Sequence, residues 1–434
     1  MCENKSVWND TVSMPKFPQL KNSLKTDVAI IGGGIAGILT AYLLKQKGVD
    51  CVLIEKNSIC QGNTANTTAK ITVQHSYVYS DILKDFGVET AKAYFEANNN
   101  ALEKYKNMAE KIECDFEIKD NYVYSSDFQK IEKELYAFDK IGCKAEYVKD
   151  LNLPVNSSGG VKLSSQAQFH PLKFIKSLVK ELNIYENTFV RDVKDRTVIT
   201  DKGNIRADKI IVTTHFPFIN THGSYFIKQY QHRSYVIGIK TDKLIDGMYV
   251  SDKKDGFSFR TYKDMLLIGG GGHRTGKNGG NYQVIEELIK NKFKDSKIKY
   301  KWAAQDCITL DSIPYIGNYS KNTPNLFVAT GFNKWGMTGS MVSALLLCDM
   351  ILNKSNPFLE CFSPSRNIIR KQLFINGVES AVNLINPIGK RCPHLGCALK
   401  WNDAEHSWDC PCHGSRFNET GEILDNPANR RLRF

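Results

Sequence analysis

The chain has 434 residues, too many for one compact core and enough for about three domains. Hydrophobic residues make up 42% and charged residues 24%, ordinary globular values that exclude wholesale disorder and fibrous repeats. Lysine and arginine number 58 against 46 acids, a formal +12 that is spread along the chain and marks no polyanion site. The opening MCENKSVWND is polar and lacks the apolar core of a secretory signal. Val28 to Leu44, the longest apolar stretch, holds four early glycines, which suits a strand, a turn and a helix better than a membrane span. The expectation is a soluble, cytoplasmic protein with neither a membrane span nor nucleic acid among its partners.

Residues 1–25 read as a polar lead-in. DVAII (27–31) is a buried-strand run, followed by GGGIAG, an apolar helix from Ile35 to Lys47 and a second strand, CVLIE (51–55). Residues 81–145 carry apolar side chains at helical spacing, such as Ala101, Tyr105, Met108 and Ile112. Pro171 opens another helix at its first position. Short strands fill 184–215, a sheet is expected between 230 and 272, and a helix follows at 282–293. The lysine-rich run Lys290–Lys301 reads as a solvated helix face leading into a strand. A last apolar helix, 337–352, precedes a polar break and a domain boundary near residue 364.

Gly32, Gly34 and Gly37 spell G-x-G-x-x-G between the first strand and its helix. The first permits a tight turn, the second lets a pyrophosphate approach the backbone, and the third lets helix pack on strand. Glu55 ends the next strand, placed for the ribose hydroxyls of an adenosine. The alternative is a glycine-rich turn in an empty doubly wound sheet. Three later segments add to the signal: KIIVTTHFP (209–217), TLDSIPYIG (309–317) and LFVATGFNKWGMTGSM (326–341), the last a strand, a glycine turn and a helix beginning near Gly336.

Together these resemble the motifs of D-amino-acid oxidase-like, that is glycine and sarcosine oxidase-like, FAD-dependent oxidoreductases, over most of residues 26–355. The resemblance implies an α/β fold: a Rossmann-like FAD domain from segments 26–80, 184–220 and 300–355, with an α+β substrate domain, 81–183 and 221–299, inserted between them. It also implies that Val190 and Val193 flank the adenine, and that Gly331, Gly336, Met337 and Thr338 lie against the flavin. A helix start there presents N–H groups to a ring edge that becomes anionic on reduction. The loop GNTANTTAKITVQH (62–75) would pass beneath the flavin, with Lys70 as a cation near N5 and His75 on the same wall. Both residues also fit a solvated loop or a satisfied core.

At the C-terminus, Cys392-Pro393-His394 and Cys410-Pro411-Cys412-His413 form the pattern C-x-H-x15-C-x2-H. Two thiolates on one iron and two imidazoles on the other make a Rieske [2Fe–2S] centre, and the same donors also suit zinc. The extra pair Cys397 and Cys412 and the glycine turns are unusual for a zinc finger. Residues 365–434 resemble a small all-β Rieske domain. By that resemblance Cys392, His394, Cys410 and His413 are the ligands, Cys397 and Cys412 are disulfide candidates, and Ser415 bonds a bridging sulfide. Phe417 stands where such domains often carry a tyrosine, which removes a donor and should lower the potential.

A flavin with such a cluster implies an enzyme that oxidises an amine, amino acid or hydroxy acid. Its electrons would leave through the cluster to an unknown one-electron acceptor. Arg260, His273 and Gln305 fall in the substrate-side segments, with Arg260 able to clamp a carboxylate. Other readings are a redox sensor without turnover and a flavoprotein acting on RNA.

Overall fold

Leu24–Ile31 becomes a central strand of the first sheet in the computed structural model, which describes residues 3–367, 371–385 and 389–433. Val28 to Ile31 are buried on both faces, as a parallel strand between helical layers requires. Ile31 pairs with Ile54 on one side and Val212 on the other, both in parallel. The strand order runs Tyr315–Asn318, Leu326–Thr330, Asn204–Val212, Leu24–Ile31, Cys51–Ile54, Asn183–Tyr185. A side ribbon, Val190–Lys194 with Thr197–Thr200, hangs from Asn204–Val212. The helices Ile35–Lys45 and Gly336–Ile351 pack against one another, so the two glycine motifs meet.

The second sheet runs Lys297–Thr309, Gln229–Lys240, Met265–Arg274, Ser258–Tyr262, Met248–Ser251, Glu117–Tyr124, Gly160–Gln168, Lys70–Ile71. Three of its members depart from expectation. Lys297–Thr309 pairs with Gln229–Lys240 from end to end, so residues 300–309 join this cap sheet and not the FAD domain. Lys70–Ile71 also crosses over, pairing with Gln168 and Ala167. Glu117–Tyr124 is a strand between the helices Val88–Ala109 and Phe128–Lys140, inside the stretch expected to be helical. Its charges at Glu117, Lys119 and Asp120 mask the alternation that a strand needs to be recognised.

The lead-in is no solvated tail. Val7–Thr11 is a short helix capped by the Ser6 hydroxyl, and Trp8 is fully buried, its indole donating to the Thr67 carbonyl at 2.7 Å. A third, four-stranded antiparallel sheet, Lys400–Asn402, Ser407–Asp409, Arg416–Phe417 and Ile423–Asp425, forms the C-terminal domain behind a helix, Lys371–Ile385. Among the described residues no helix is long and apolar enough to cross a membrane.

The link into that domain is pinned. Arg366 donates bidentately to Asp311, at 2.7 and 2.8 Å, and again to the Pro314 carbonyl at 3.0 Å. Its guanidinium also lies 4.1 Å from the Tyr315 ring. Arg366→Ala would strand a carboxylate whose side chain is only 1% exposed. Removing one partner of such a pair costs about 3–5 kcal/mol, so we expect a loss of that size in urea unfolding.

Candidate functional site

A cavity of about 910 Å³ is lined from both large sheets, beginning at the glycine turn. Gly32 has φ +115°, and a Cβ there would fall 2.7 Å from the Thr213 carbonyl oxygen. A Cβ on Gly37 would fall 2.1 Å from the Gly32 oxygen, so this glycine lets helix meet turn. Gly34 differs: its Cβ would meet only Thr64 Oγ1, at 3.4 Å, and otherwise open cavity. Glu55 steadies the turn by accepting the Gly33 N–H at 2.8 Å, and it lines the same space.

At the other end, Gly336 and Met337 open the 16-residue helix Gly336–Ile351 onto the cavity, with nothing within 4 Å of a Cβ on Gly336. Two helix N-termini bared by glycine thus face one elongated space, which fits an extended dinucleotide. Gly331 shapes the approach, at φ +74°, and Thr338 is bonded to the Thr72 backbone; neither lines the cavity. Val190 lines it too, whereas Val193 packs into the sheet core.

Lys70 reaches the cavity and donates to Thr68 Oγ1 at 3.1 Å; burial pushes its ammonium down to about 7. His75 stacks on Trp335 with ring centroids 5.0 Å apart. Both its nitrogens are engaged, by Tyr94 and by the Thr72 carbonyl, and burial holds it neutral at about 3. It is a wall element, not a base.

Arg260, His273 and Gln305 lie outside the cavity lining, which corrects their expected substrate-side position. Arg260 is fully buried behind the Lys70 loop, donating to the Thr68 and Ala69 carbonyls at 2.6 and 2.8 Å. His273 bonds Tyr235 at 3.0 Å. Gln305 donates to the Gly414 carbonyl, in the C-terminal domain, at 2.8 Å. For Gln305 the reason is strand direction: its neighbours Ala304 and Asp306 line the cavity, and its own side chain points the other way, to Gly414.

Two residues missed in the sequence take their place. Asp306 lines the cavity, and among the described residues its carboxylate has no hydrogen bond or ion pair. Burial raises its pKa. Lys334, also on the lining, donates to the Lys254 carbonyl at 2.9 Å, and burial lowers it to about 8. Asn333 and Lys334 both have positive φ, +52° and +73°, a strained pair inside a motif already singled out.

The C-terminal boxes fold into two like turns. Gly396 N–H bonds the Cys392 carbonyl and Gly414 N–H the Cys410 carbonyl, each at 2.9 Å, with φ +82° and +80° at the two glycines. Cys392 and Cys410 are buried, and Cys397 is joined to Cys412 by a disulfide. The His394 and His413 rings stand 5.0 Å apart, and Nδ1 of each is buried without a partner. Two buried thiols and two unpartnered imidazole nitrogens fit a Rieske cluster. The Ser415 hydroxyl accepts the Ala428 N–H at 3.0 Å.

The histidine side of these turns is pressed onto the back of the cap sheet. Gln231 donates to the His413 carbonyl at 3.0 Å, Phe226 meets the His413 ring edge-on, and Asn220 bonds His394 at 3.0 Å. Arg233, 3% exposed, pairs with Glu405, and Arg274 donates to the Pro411 carbonyl at 3.3 Å. Ser234 and Val236 line the cavity from the same strand that carries Gln231 and Arg233 on its reverse. A single sheet layer separates cavity from cluster turns.

A family model of FAD-dependent oxidoreductases matches residues 27–350, and one of the Rieske [2Fe–2S] domain matches 369–434. The Rieske 2Fe-2S iron-sulfur protein YhfW of Bacillus subtilis is 36% identical over 492 residues, covering 99% of this chain and 97% of its own. Gamma-glutamylputrescine oxidoreductase of Escherichia coli is 24% identical over 79% of this chain and 87% of that one. Glycine oxidase from Geobacillus kaustophilus superposes with a TM-score of 0.66 at 17% identity, covering 79% of this chain and 99% of that one. L-proline dehydrogenase from P. horikoshii gives 0.66 at 18%, covering 81% and 98%.

Proposed function

Because the chain belongs to the FAD-dependent oxidoreductase family and carries a Rieske [2Fe–2S] domain, we propose that it oxidises an amine or amino acid and sends the electrons out through the cluster. Bound FAD accepts a hydride from a C–H bond beside nitrogen, and a Rieske cluster passes electrons one at a time. The observation that carries the reading is the single sheet layer between the cavity and the histidine side of the cluster turns.

The cavity's charges support an amine substrate. Asp306 offers a carboxylate to an ammonium, and Lys334 offers an ammonium to a carboxylate. No ion pair joins them among the described residues, and each favours the charged form of the other. Ser234, Gly270 and Ala304 leave room on the sheet face beside Asp306. The names of the relatives point the same way, toward amines and amino acids.

The test is an anaerobic screen of amines, amino acids and hydroxy acids for bleaching of the flavin band. Bleaching by a hydroxy acid and by no amine would replace the substrate class. With a substrate in hand, Asp306→Asn should raise its KM roughly tenfold to a hundredfold, the value of one charged hydrogen bond. An unchanged KM would remove Asp306 from recognition.

A further inference from the structure

The cofactor cavity is not walled by the two large sheets alone. Leu424 to Asn429, the end of the last strand of the Rieske domain and the loop that follows it, line it as well. Asn426 fixes that loop beside the glycine turn, its side-chain amide donating to the Thr214 carbonyl at 2.7 Å and the Phe216 carbonyl at 2.6 Å. Thr213, the preceding residue, hydrogen-bonds the Ile31 and Gly32 carbonyls, so the loop rests on the segment that supports Gly32.

The same loop is tied to the cluster turns at two points. The Ala428 N–H donates to Ser415 Oγ, two residues beyond His413, and Gln231 bridges the His413 and Asn426 carbonyls at 3.0 Å each. The approach is close by design of the backbone: a Cβ on Gly414 would fall 2.5 Å from Cβ of Gln231. Whatever orders residues 410–415 therefore orders 424–429, and the reverse holds.

We infer that the 424–429 loop is part of the FAD site, and that cluster assembly and FAD binding are thermodynamically coupled through Asn426, Gln231 and Ser415. Loading the cluster fixes the ligand turns, the turns fix the loop, and the loop closes the cavity over the cofactor. Linkage makes the effect reciprocal: bound FAD must strengthen retention of the cluster by the same factor. Coupling of this kind is typically worth about 5- to 150-fold in affinity.

The full-length protein tests this directly. Cluster-free protein from iron-limited expression is compared with the same preparation after cluster reconstitution, and FAD affinity is read from quenching of FAD fluorescence. Reconstitution should tighten FAD by about tenfold or more. Asn426→Ala, whose cluster should still give the Rieske electron paramagnetic signal, should bind FAD at least about fivefold more weakly and gain little on reconstitution. In the reciprocal arm, FAD should slow loss of the wild-type cluster to a chelator, and much less so in Asn426→Ala. Equal FAD affinity with and without the cluster would overturn the coupling. Cluster-free protein that proves unfolded leaves the decision to Asn426→Ala, where wild-type FAD affinity would overturn it too.

Discussion

The His413→Ala protein is expected to lose the Rieske electron paramagnetic signature altogether, and with it all turnover on a one-electron acceptor, while substrate still bleaches its flavin. The imidazole pair is what distinguishes this cluster from one held by four thiolates. His413 is 2% exposed, with neither ring nitrogen hydrogen-bonded, so no other side chain stands ready to replace it. The half-reaction at the flavin should survive when FAD is supplied in excess to offset its weaker binding, because the cavity residues Asp306, Lys334 and Lys70 lie across the cap sheet from the cluster turns. Electron paramagnetic resonance and anaerobic titration with substrate check the two halves separately. If iron is absent from well-folded wild type and zinc is stoichiometric, the zinc reading of the same donors takes over.

The second large effect is at the glycine turn. Gly34→Val should give protein without bound FAD, because the added side chain enters cavity space and its Cβ meets the fold only at Thr64 Oγ1. Thermal unfolding of the apoprotein should match that of wild type stripped of flavin. Iron and sulfide should stay near stoichiometric, although a chelator should remove them faster. Gly37→Val is the contrasting change. Its Cβ would collide with the Gly32 carbonyl, so both flavin and folding yield should fall. Full flavin occupancy in Gly34→Val would mean that the cofactor does not approach this turn.

Both experiments rest on sites that were legible in the sequence, and for the same reason. At the glycine turn and in the cluster boxes, the chemistry is written by residues a few positions apart, so spacing alone constrains geometry. The substrate side is different. Gln305 and Asp306 are adjacent, and only the register of Lys297–Thr309 against Gln229–Lys240 decides which one faces the cavity. Arg260 drew notice as a carboxylate clamp, yet it is buried under Trp8 outside the cavity lining, with Nη1 donating to the Thr68 and Ala69 carbonyls. Trp8 itself sits in a segment too polar to announce a buried anchor. The contacts that dock the C-terminal domain are made by polar side chains as well, Arg366, Gln231, Arg233 and Asn426. Long-range polar contacts leave no periodic trace, and only the fold brings them together.

The direct test of electron flow is anaerobic single-turnover mixing of the wild-type enzyme with the substrate found by the screen, following flavin and cluster absorbance separately. The docked arrangement predicts that flavin bleaching is followed by cluster reduction within one turnover. Flavin that bleaches while the cluster stays oxidised on that timescale would contradict it, and would leave the Rieske domain a structural wall of the cofactor site.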